Sequence, residues 1–256
     1  MSKQNRKAPP YSMLATIYDE VMAHVDYEKW TNYIVSLFEK YDKKPQSILE
    51  LSCGTGNVLL SLTSKKYNIF GLDLSFEMVR IAYEKAITRN ININYFQADM
   101  TCFSLKRPVD VVICLYDSIN YLDDFSKWQQ LFDNVYDALV EQGLFIFDIC
   151  TEKNSMKYFS NYTETGSGSS FEYLRESSYD RKQKIHQNQF TIKFDGDDNR
   201  YIESHQQRIY TINEIQNFIS QSHFQCLDAF NGFSFRKADE EALRVHFVLE
   251  KASLND

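Results

Sequence analysis

The chain has 256 residues, with 28 Lys plus Arg against 35 Asp plus Glu and a net charge of -7. That length holds one large α/β domain with a substantial insertion, or two small domains sharing a core; the acidic balance disfavours a partner gripped through its phosphates, so no nucleic-acid partner is expected. No stretch approaches the roughly 20 apolar residues of a membrane span, and the opening MSKQNRKAPPYS lacks the apolar core of a signal peptide, so the reading is a cytoplasmic protein with no membrane partner.

Five cysteines at 53, 102, 114, 150 and 226 form no CxxC and read as reduced thiols. The histidines at 24, 186, 205, 223 and 246 have no paired spacing with cysteines or acids, so no metal is expected. In chain order, residues 1 to 10 are polar and basic around Pro9-Pro10 and read as a loose tail. Met13, Leu14, Ile17, Tyr18 and Val21 recur at helical spacing, as do Trp30, Tyr33, Ile34, Leu37 and Phe38, which predicts two helices before the first strand.

The stretch from Ile48 to Asp73 organises the rest. Ser47 to Leu51 is a short buried strand that ends in a turn carrying Gly54 and Gly56. Val58, Leu59, Leu60 and Leu62 then line one face of a short helix, whose N-terminus exposes backbone N–H groups. Asn68 to Leu72 is a second strand that closes on Asp73, an acid placed to accept both hydroxyls of a ribose lying across the first turn. The geometry asks for a ligand containing a nucleoside. A dinucleotide fingerprint needs a third glycine where this chain has Leu59, and Glu50 would repel a pyrophosphate but suits a cationic ligand. Both departures point away from NAD and towards S-adenosylmethionine.

Ser75 can cap a helix through Met78, Val79, Ala82 and Tyr83, turning Met78 back towards the nucleoside pocket. Residues 91 to 97 alternate as a third strand leading to Asp99 and Met100. Val109 to Leu115 is a continuously apolar fourth strand, and its exit from Leu115 to Leu122 is where acceptor chemistry sits in an open α/β sheet. An amphipathic helix over 124 to 139 leads through Glu141-Gln142-Gly143 to a fifth strand, Leu144 to Ile149. From Thr151 the composition changes: Gly166 to Ser170 reads as a flexible linker, and Phe171 to Tyr179, Ile185 to Phe194 and Tyr201 to Tyr210 read as antiparallel strands with a hairpin turn at Phe194 to Asp198. A helix over Ile212 to Ser220 and a strand pair, Phe224 to Phe230 and Arg244 to Glu250, complete the core.

A family resemblance is carried by motifs within residues 11–30, 48–78, 99–122 and 203–210. Glu50-Leu51-Ser52-Cys53-Gly54-Thr55-Gly56 resembles the first motif of class I S-adenosylmethionine-dependent methyltransferases, with Ser52 where many members have glycine. Tyr11, Leu14, Ala15, Tyr18 and Asp19, then Tyr27 and Trp30, resemble the leading lid helices of such enzymes. Glu203-Ser204-His205-Gln206-Gln207-Arg208-Ile209-Tyr210 resembles a Glu/Asp-x-His-x-x-Arg-x-Tyr stretch in a subset of small bacterial methyltransferases. The resemblance implies a Rossmann-like, doubly wound, seven-stranded sheet with its last strand antiparallel, N-terminal helices and an inserted antiparallel β subdomain. The expected division is 1–150 for the lid helices and cofactor core, 151–210 for the insertion, and 211–256 for completion of the core.

The cofactor implied is S-adenosylmethionine. Glu50, Ser52, Cys53, Gly54 and Gly56 would surround its methionine part, with the Leu115 carbonyl near the amino group. Asp73 and Leu74 would meet the ribose, Met78, Asp99 and Met100 the adenine, and Tyr11, Tyr18 and Trp30 would come from the lid, although these aromatics equally suit the core of a helical hairpin and Asp99 suits a turn. Tyr121, Asp117 and His205 are the candidates to take an acceptor's proton, and Arg208 and Tyr210 to hold the substrate. Period two puts His205 and Gln207 on one strand face, with Ser204, Arg208 and Tyr210 on the other. A small-molecule acceptor leads; a protein methyltransferase, a catalytically silent binding module and an NAD enzyme stay open, as does the oligomeric state.

Overall fold

The computed structural model describes residues 4–63 and 67–252. The chain opens with β1 (Asn5–Lys7), α1 (Leu14–Val21) and α2 (Tyr27–Lys40). It continues through β2 (Ser47–Leu51), α3 (Asn57–Leu62), β3 (Asn68–Asp73), α4 (Phe76–Thr88), β4 (Asn94–Gln97), β5 (Val109–Cys114), α5 (Phe125–Ala138) and β6 (Leu139–Cys150). After a one-turn α6 (Glu152–Asn154) come β7 (Asn161–Ser167), β8 (Phe171–Asp180), β9 (Ile185–Phe194) and β10 (Arg200–Arg208); α7 (Ile212–Ile219), β11 (Phe224–Asn231) and β12 (Arg244–Lys251) close the described chain.

Two sheets result. The larger has seven strands in the order β11-β12-β6-β5-β2-β3-β4, and β12 runs antiparallel to both neighbours while the remaining pairs are parallel. Side-chain alternation decides its two cores. Val112, Cys114, Phe145 and Phe147 face α5 and α7, whereas Val111, Ile113, Leu144 and Ile146 face α2 and α3. The expected seven-stranded, doubly wound fold is therefore present.

The smaller sheet has five strands, β1-β10-β9-β8-β7. Two expectations are corrected here. Asn5–Lys7 is no loose tail: it pairs in parallel with Arg200–Ile202, and Ala8 N donates to Ile202 O at 2.9 Å. A strand edge with open N–H and C=O groups recruits this polar segment through backbone alone, which no apolar pattern could announce; Met1 to Lys3 lie outside the described residues. Gly166 to Ser170 is likewise no linker. Gly166 and Ser167 pair with Tyr173 and Glu172 inside a hairpin, and a Cβ on Gly166 would strike the Tyr173 ring, so this glycine serves packing. The apolar side of α1, Leu14, Ile17 and Val21, packs on Phe171, Tyr173, Phe190 and Ile192 of this sheet and fastens it to the core domain.

Phe147 has no solvent exposure and touches Trp128, Phe132, Phe145 and Phe247. Phe147→Ala should lower unfolding free energy by about 3–5 kcal/mol, seen as a lower urea midpoint at unchanged slope.

Candidate active site

The winding of the large sheet reverses between β2 and β5, and a crevice opens beyond the carboxyl ends of strands at such a point. Here it is a cavity of about 820 Å³, floored by the loops after β2, β3 and β5 and closed over by α1 and the inward faces of β8 to β10. Backbone strain concentrates around it. Tyr11, Ser52, Tyr116 and Asp117 all line it with φ between 50° and 63°, a left-handed conformation that costs a non-glycine residue of order 1 kcal/mol or more.

On the floor, Gly54 and Gly56 carry φ of 55° and 78°. A Cβ on Gly56 would collide with Tyr95, while one on Gly54 would meet nothing within 4 Å, so Gly56 permits the start of α3 without itself lining the cavity and Gly54 shapes an open cradle. Ser52 takes a left-handed conformation, φ 52°, that glycine would adopt without strain. Asp73 is 9% exposed; its Oδ2 accepts from Gly54 N at 2.9 Å and its Oδ1 from Ser75 N at 2.8 Å. A carboxylate has more lone pairs than these amides use, so Asp73 can still accept from a ribose hydroxyl. Burial raises the Asp73 carboxyl and those amides partly offset it.

Glu50 is 3% exposed and its Oε2 has no hydrogen-bond partner among the described residues. Burial, then the Asp73 charge, pushes its pKa well above the ordinary value. A carboxylate left this way is costly, and a cation or ammonium group in the cavity relieves it. The donor set therefore fits a cationic nucleoside. Met78, Met100, Leu74, Asp99, Cys53 and Leu115 also line this half; Asp99 Oδ1 accepts from Thr101 N and Oγ1, the cap expected of a turn acid, and Leu115 O accepts from Ser118 Oγ at 2.8 Å.

The lid aromatics Tyr11, Tyr18 and Trp30 reach the cavity too. Trp30 at the same time packs on Phe233 and His246, so it serves core and cavity together. Sequence reading passed over the latch beside them. Asp19 Oδ1 accepts from Thr55 Oγ1 at 2.6 Å and Asn57 Nδ2 at 2.9 Å, and its Oδ2 meets Lys85 Nζ at 2.6 Å, joining α1 to the glycine turn and α4.

On the acceptor side, Tyr121 Oη lies 2.6 Å from Tyr11 Oη and 3.3 Å from His205 Nδ1. His205 Nε2 approaches Glu203 Oε2 at 3.3 Å, close enough for an ion pair though not aligned as a hydrogen bond. Burial, foremost, raises Tyr121 and Tyr11 far above the ordinary phenol range, so both are neutral phenols. Burial would also raise Glu203, yet His205 and the amides of Leu14 and Met13 outweigh it and hold the carboxyl below its ordinary value. Asp117 is engaged: Oδ1 pairs with Arg244 at 2.7 Å and Oδ2 accepts from Gln207 Nε2 at 2.7 Å.

His205 and Gln207 share the inward strand face and both line the cavity. Arg208 and Tyr210 are not brought to it: the Arg208 guanidinium lies 5.5 Å from the Tyr210 ring, and Tyr210 is buried against α5 with its hydroxyl donating to Leu122 O. Glu203, Arg175, His186 and Asn188 were not foreseen as site residues, and the run His186-Gln187-Asn188-Gln189, polar on both faces of β9, carries no alternation that would single out the last two.

Because the folded protein holds the Glu50 proton more tightly than the unfolded chain, stability is greatest below the unfolded pKa and falls as pH rises towards the folded value. Glu50→Gln should flatten that fall and raise the ligand-free melting temperature at pH 7–8 while weakening ligand binding; thermal melts from pH 5 to 8 check the sign.

Comparisons with known proteins bear on this site. A family model described as a methyltransferase domain matches residues 48–143, from β2 into β6. A Geobacillus sp. (strain WCH70) protein named "Putative methyltransferase" is 28% identical over 245 residues, covering 94% of this chain and 99% of that one. The crystal structure of a S-adenosylmethionine-dependent methyltransferase from Clostridium acetobutylicum ATCC 824 is similar at TM-score 0.81 and 25% identity, covering 95% of this chain and 99% of the other. An amino pentose methyltransferase from Micromonospora echinaspora, with S-adenosylmethionine bound, shares the fold at TM-score 0.71 and 14% identity, over 92% and 97% of the two chains.

Proposed function

We propose that this chain is a class I S-adenosylmethionine-dependent methyltransferase and that it transfers the methyl group directly to a small-molecule acceptor seated between the glycine turn and the inserted sheet. The observation that carries this reading is one cavity lined by Glu50, whose Oε2 has no hydrogen-bond partner among the described residues, and Asp73 on its floor and by the Tyr121–His205 pair on its acceptor side. When bound, S-adenosylmethionine supplies a methyl group made electrophilic by its sulfonium. The chain's own work is to hold, align and exclude water, which is worth up to roughly 7–11 kcal/mol of barrier.

In this reading Glu50 faces the cationic methionine portion, Asp73 the ribose, and Asp99 and Met100 the adenine. An acceptor that must lose a proton passes it to the Tyr121 hydroxyl as Tyr121 hands its own to His205 Nδ1. Tyr121 cannot be the resident base, since burial keeps it a neutral phenol; His205 is, and the ionised Glu203 beside Nε2 stabilises the imidazolium. Asp117, already held by Arg244 and Gln207, is a positioning residue for the β5 exit. A protein acceptor calls for a wide, shallow groove, and the roof over this cavity supports a small molecule instead, as does the amino pentose that the similar Micromonospora echinaspora enzyme acts on.

Calorimetric titration with S-adenosylmethionine, S-adenosylhomocysteine and NAD tests the cofactor assignment: the first two should bind and NAD should not, and NAD alone binding would overturn it. Asp73→Ala should weaken S-adenosylmethionine by at least about tenfold, 1.4 kcal/mol; unchanged affinity removes the ribose assignment. With an acceptor in hand, Tyr121→Phe should cut kcat by about 10²–10⁴ at unchanged cofactor affinity, and a wild-type rate would take Tyr121 out of the proton path.

A further inference from the structure

The inserted sheet presents a face of two characters. Where α1 covers it, the inward residues are apolar: Phe171, Tyr173 and Ile192. Past Phe190 the same face turns polar without becoming exposed. Strand register sets it out in rows across β8, β9 and β10: Arg175, Phe190, Glu203; then Ser177, Asn188, His205; then Tyr179, His186, Gln207. Ser177, Asn188, His186, His205 and Gln207 are each at most 8% exposed. Polar side chains buried in such number are costly unless bonded, and Arg175, His186, Asn188, His205 and Gln207 line the cavity.

Its bonding is incomplete in one corner. Arg175 Nε and Nη2 donate to Asn188 Oδ1 at 3.1 and 2.9 Å, and Ser177 Oγ donates to the same oxygen at 2.5 Å. That oxygen is saturated, which leaves Asn188 Nδ2 as a donor. Three of the five Arg175 N–H donors have no hydrogen-bond acceptor among the described residues, and Glu164, 4.0 Å from Nη1, is not part of the cavity wall. Phe159, Tyr162 and Phe190 hold the guanidinium at 5.2, 5.9 and 5.5 Å from their ring centres, so it is fixed before any ligand arrives. His186 is 3% exposed and its Nε2 has no hydrogen-bond partner among the described residues, while Nδ1 lies 3.5 Å from Ser155 Oγ. Burial lowers His186 to about 4, so it meets a ligand as a neutral imidazole.

We propose that this corner anchors an oxyanion, a carboxylate or phosphate carried by the methyl acceptor, with Arg175 as its ion-pair partner and Asn188 Nδ2 and His186 Nε2 as further donors. A planar guanidinium with open N–H groups matches two oxygens of such a group. Asn188 is the cross-strand neighbour of His205, so the anion would be held beside the base and away from the acids of the glycine turn. An acceptor bound by its charge there would present its nucleophile towards Tyr121. This inference rests on the methyltransferase reading and narrows its substrate class.

Inorganic phosphate and succinate, titrated separately into protein saturated with S-adenosylhomocysteine, test it without a known acceptor. At least one should bind saturably, and which one does distinguishes phosphate from carboxylate. Arg175→Gln should weaken that binding about tenfold or more, with Arg175→Lys recovering part of it and S-adenosylhomocysteine affinity unchanged in both. Absence of binding to the wild type, or equal binding to Arg175→Gln, overturns the proposal. Weakened S-adenosylhomocysteine binding in a folded Arg175→Gln protein also overturns it, by assigning the guanidinium to the cofactor's own carboxylate. Should the variants not fold, hydrogen exchange on the wild type decides: phosphate or succinate must protect residues 171–194, and protection only elsewhere rejects the site. Failure of the wild type to bind S-adenosylhomocysteine at all would instead remove the methyltransferase reading itself.

Discussion

Glu203 has no solvent exposure, yet it collects the backbone N–H groups of Tyr11, Met13 and Leu14 at 2.7, 2.5 and 2.9 Å, the Ser12 hydroxyl at 3.3 Å, and the imidazole of His205. Met13, at the N-cap of α1, gives the helix no side-chain cap. A carboxylate nearly two hundred residues away takes that place, in the position where a negative charge also favours the helix dipole. Alone in this interior the charge would cost several kcal/mol; these charge-assisted bonds compensate it. One buried group thus seats the lid helix, turns Tyr11 over the cavity and holds the histidine next to Tyr121.

The strained residues around the cavity depend on similar support. Asp117 keeps φ of 50° because Arg244, Gln207 and the carboxylate of Asp148, which accepts from Asp117 N at 3.0 Å, grip it from three elements. Arg244 in turn bonds Asp148 and lies against Trp30 and Tyr116 at 5.2 and 5.4 Å. The guanidinium therefore couples β12, the β5 exit and the lid. Such over-determination is what lets a backbone hold conformations costing of order 1–3 kcal/mol each.

Charge is divided across the cavity in the same spirit. Acids gather on the floor, at the ends of β2 and β3, and the open cationic donors of Arg175 sit in the roof. A cationic ligand and an anionic one would be drawn to opposite walls. Binding one would also ease the approach of the other, because each brings the charge that the opposite wall lacks.

The glycine turn, Glu50, Asp73 and the order of core elements were legible in the sequence, since a βαβ unit is written in short-range period and turn chemistry. Period two also assigned His205 and Gln207 to one face of β10 and Arg208 to the other. What the sequence could not decide was which distant groups meet. Asn5–Lys7 reads as a tail because backbone pairing to an open edge leaves no side-chain signature, and Gly166 reads as a linker because the ring it accommodates is named by register alone. Tyr210 looked like a substrate residue until the packing of α5 claimed it. Local pattern determined which elements form and which faces they offer; the tertiary structure decided that Glu203 caps α1, that Asp19 latches the glycine turn and that Arg175 lies open to the cavity, because those depend on long-range contacts whose partners local periodicity does not encode.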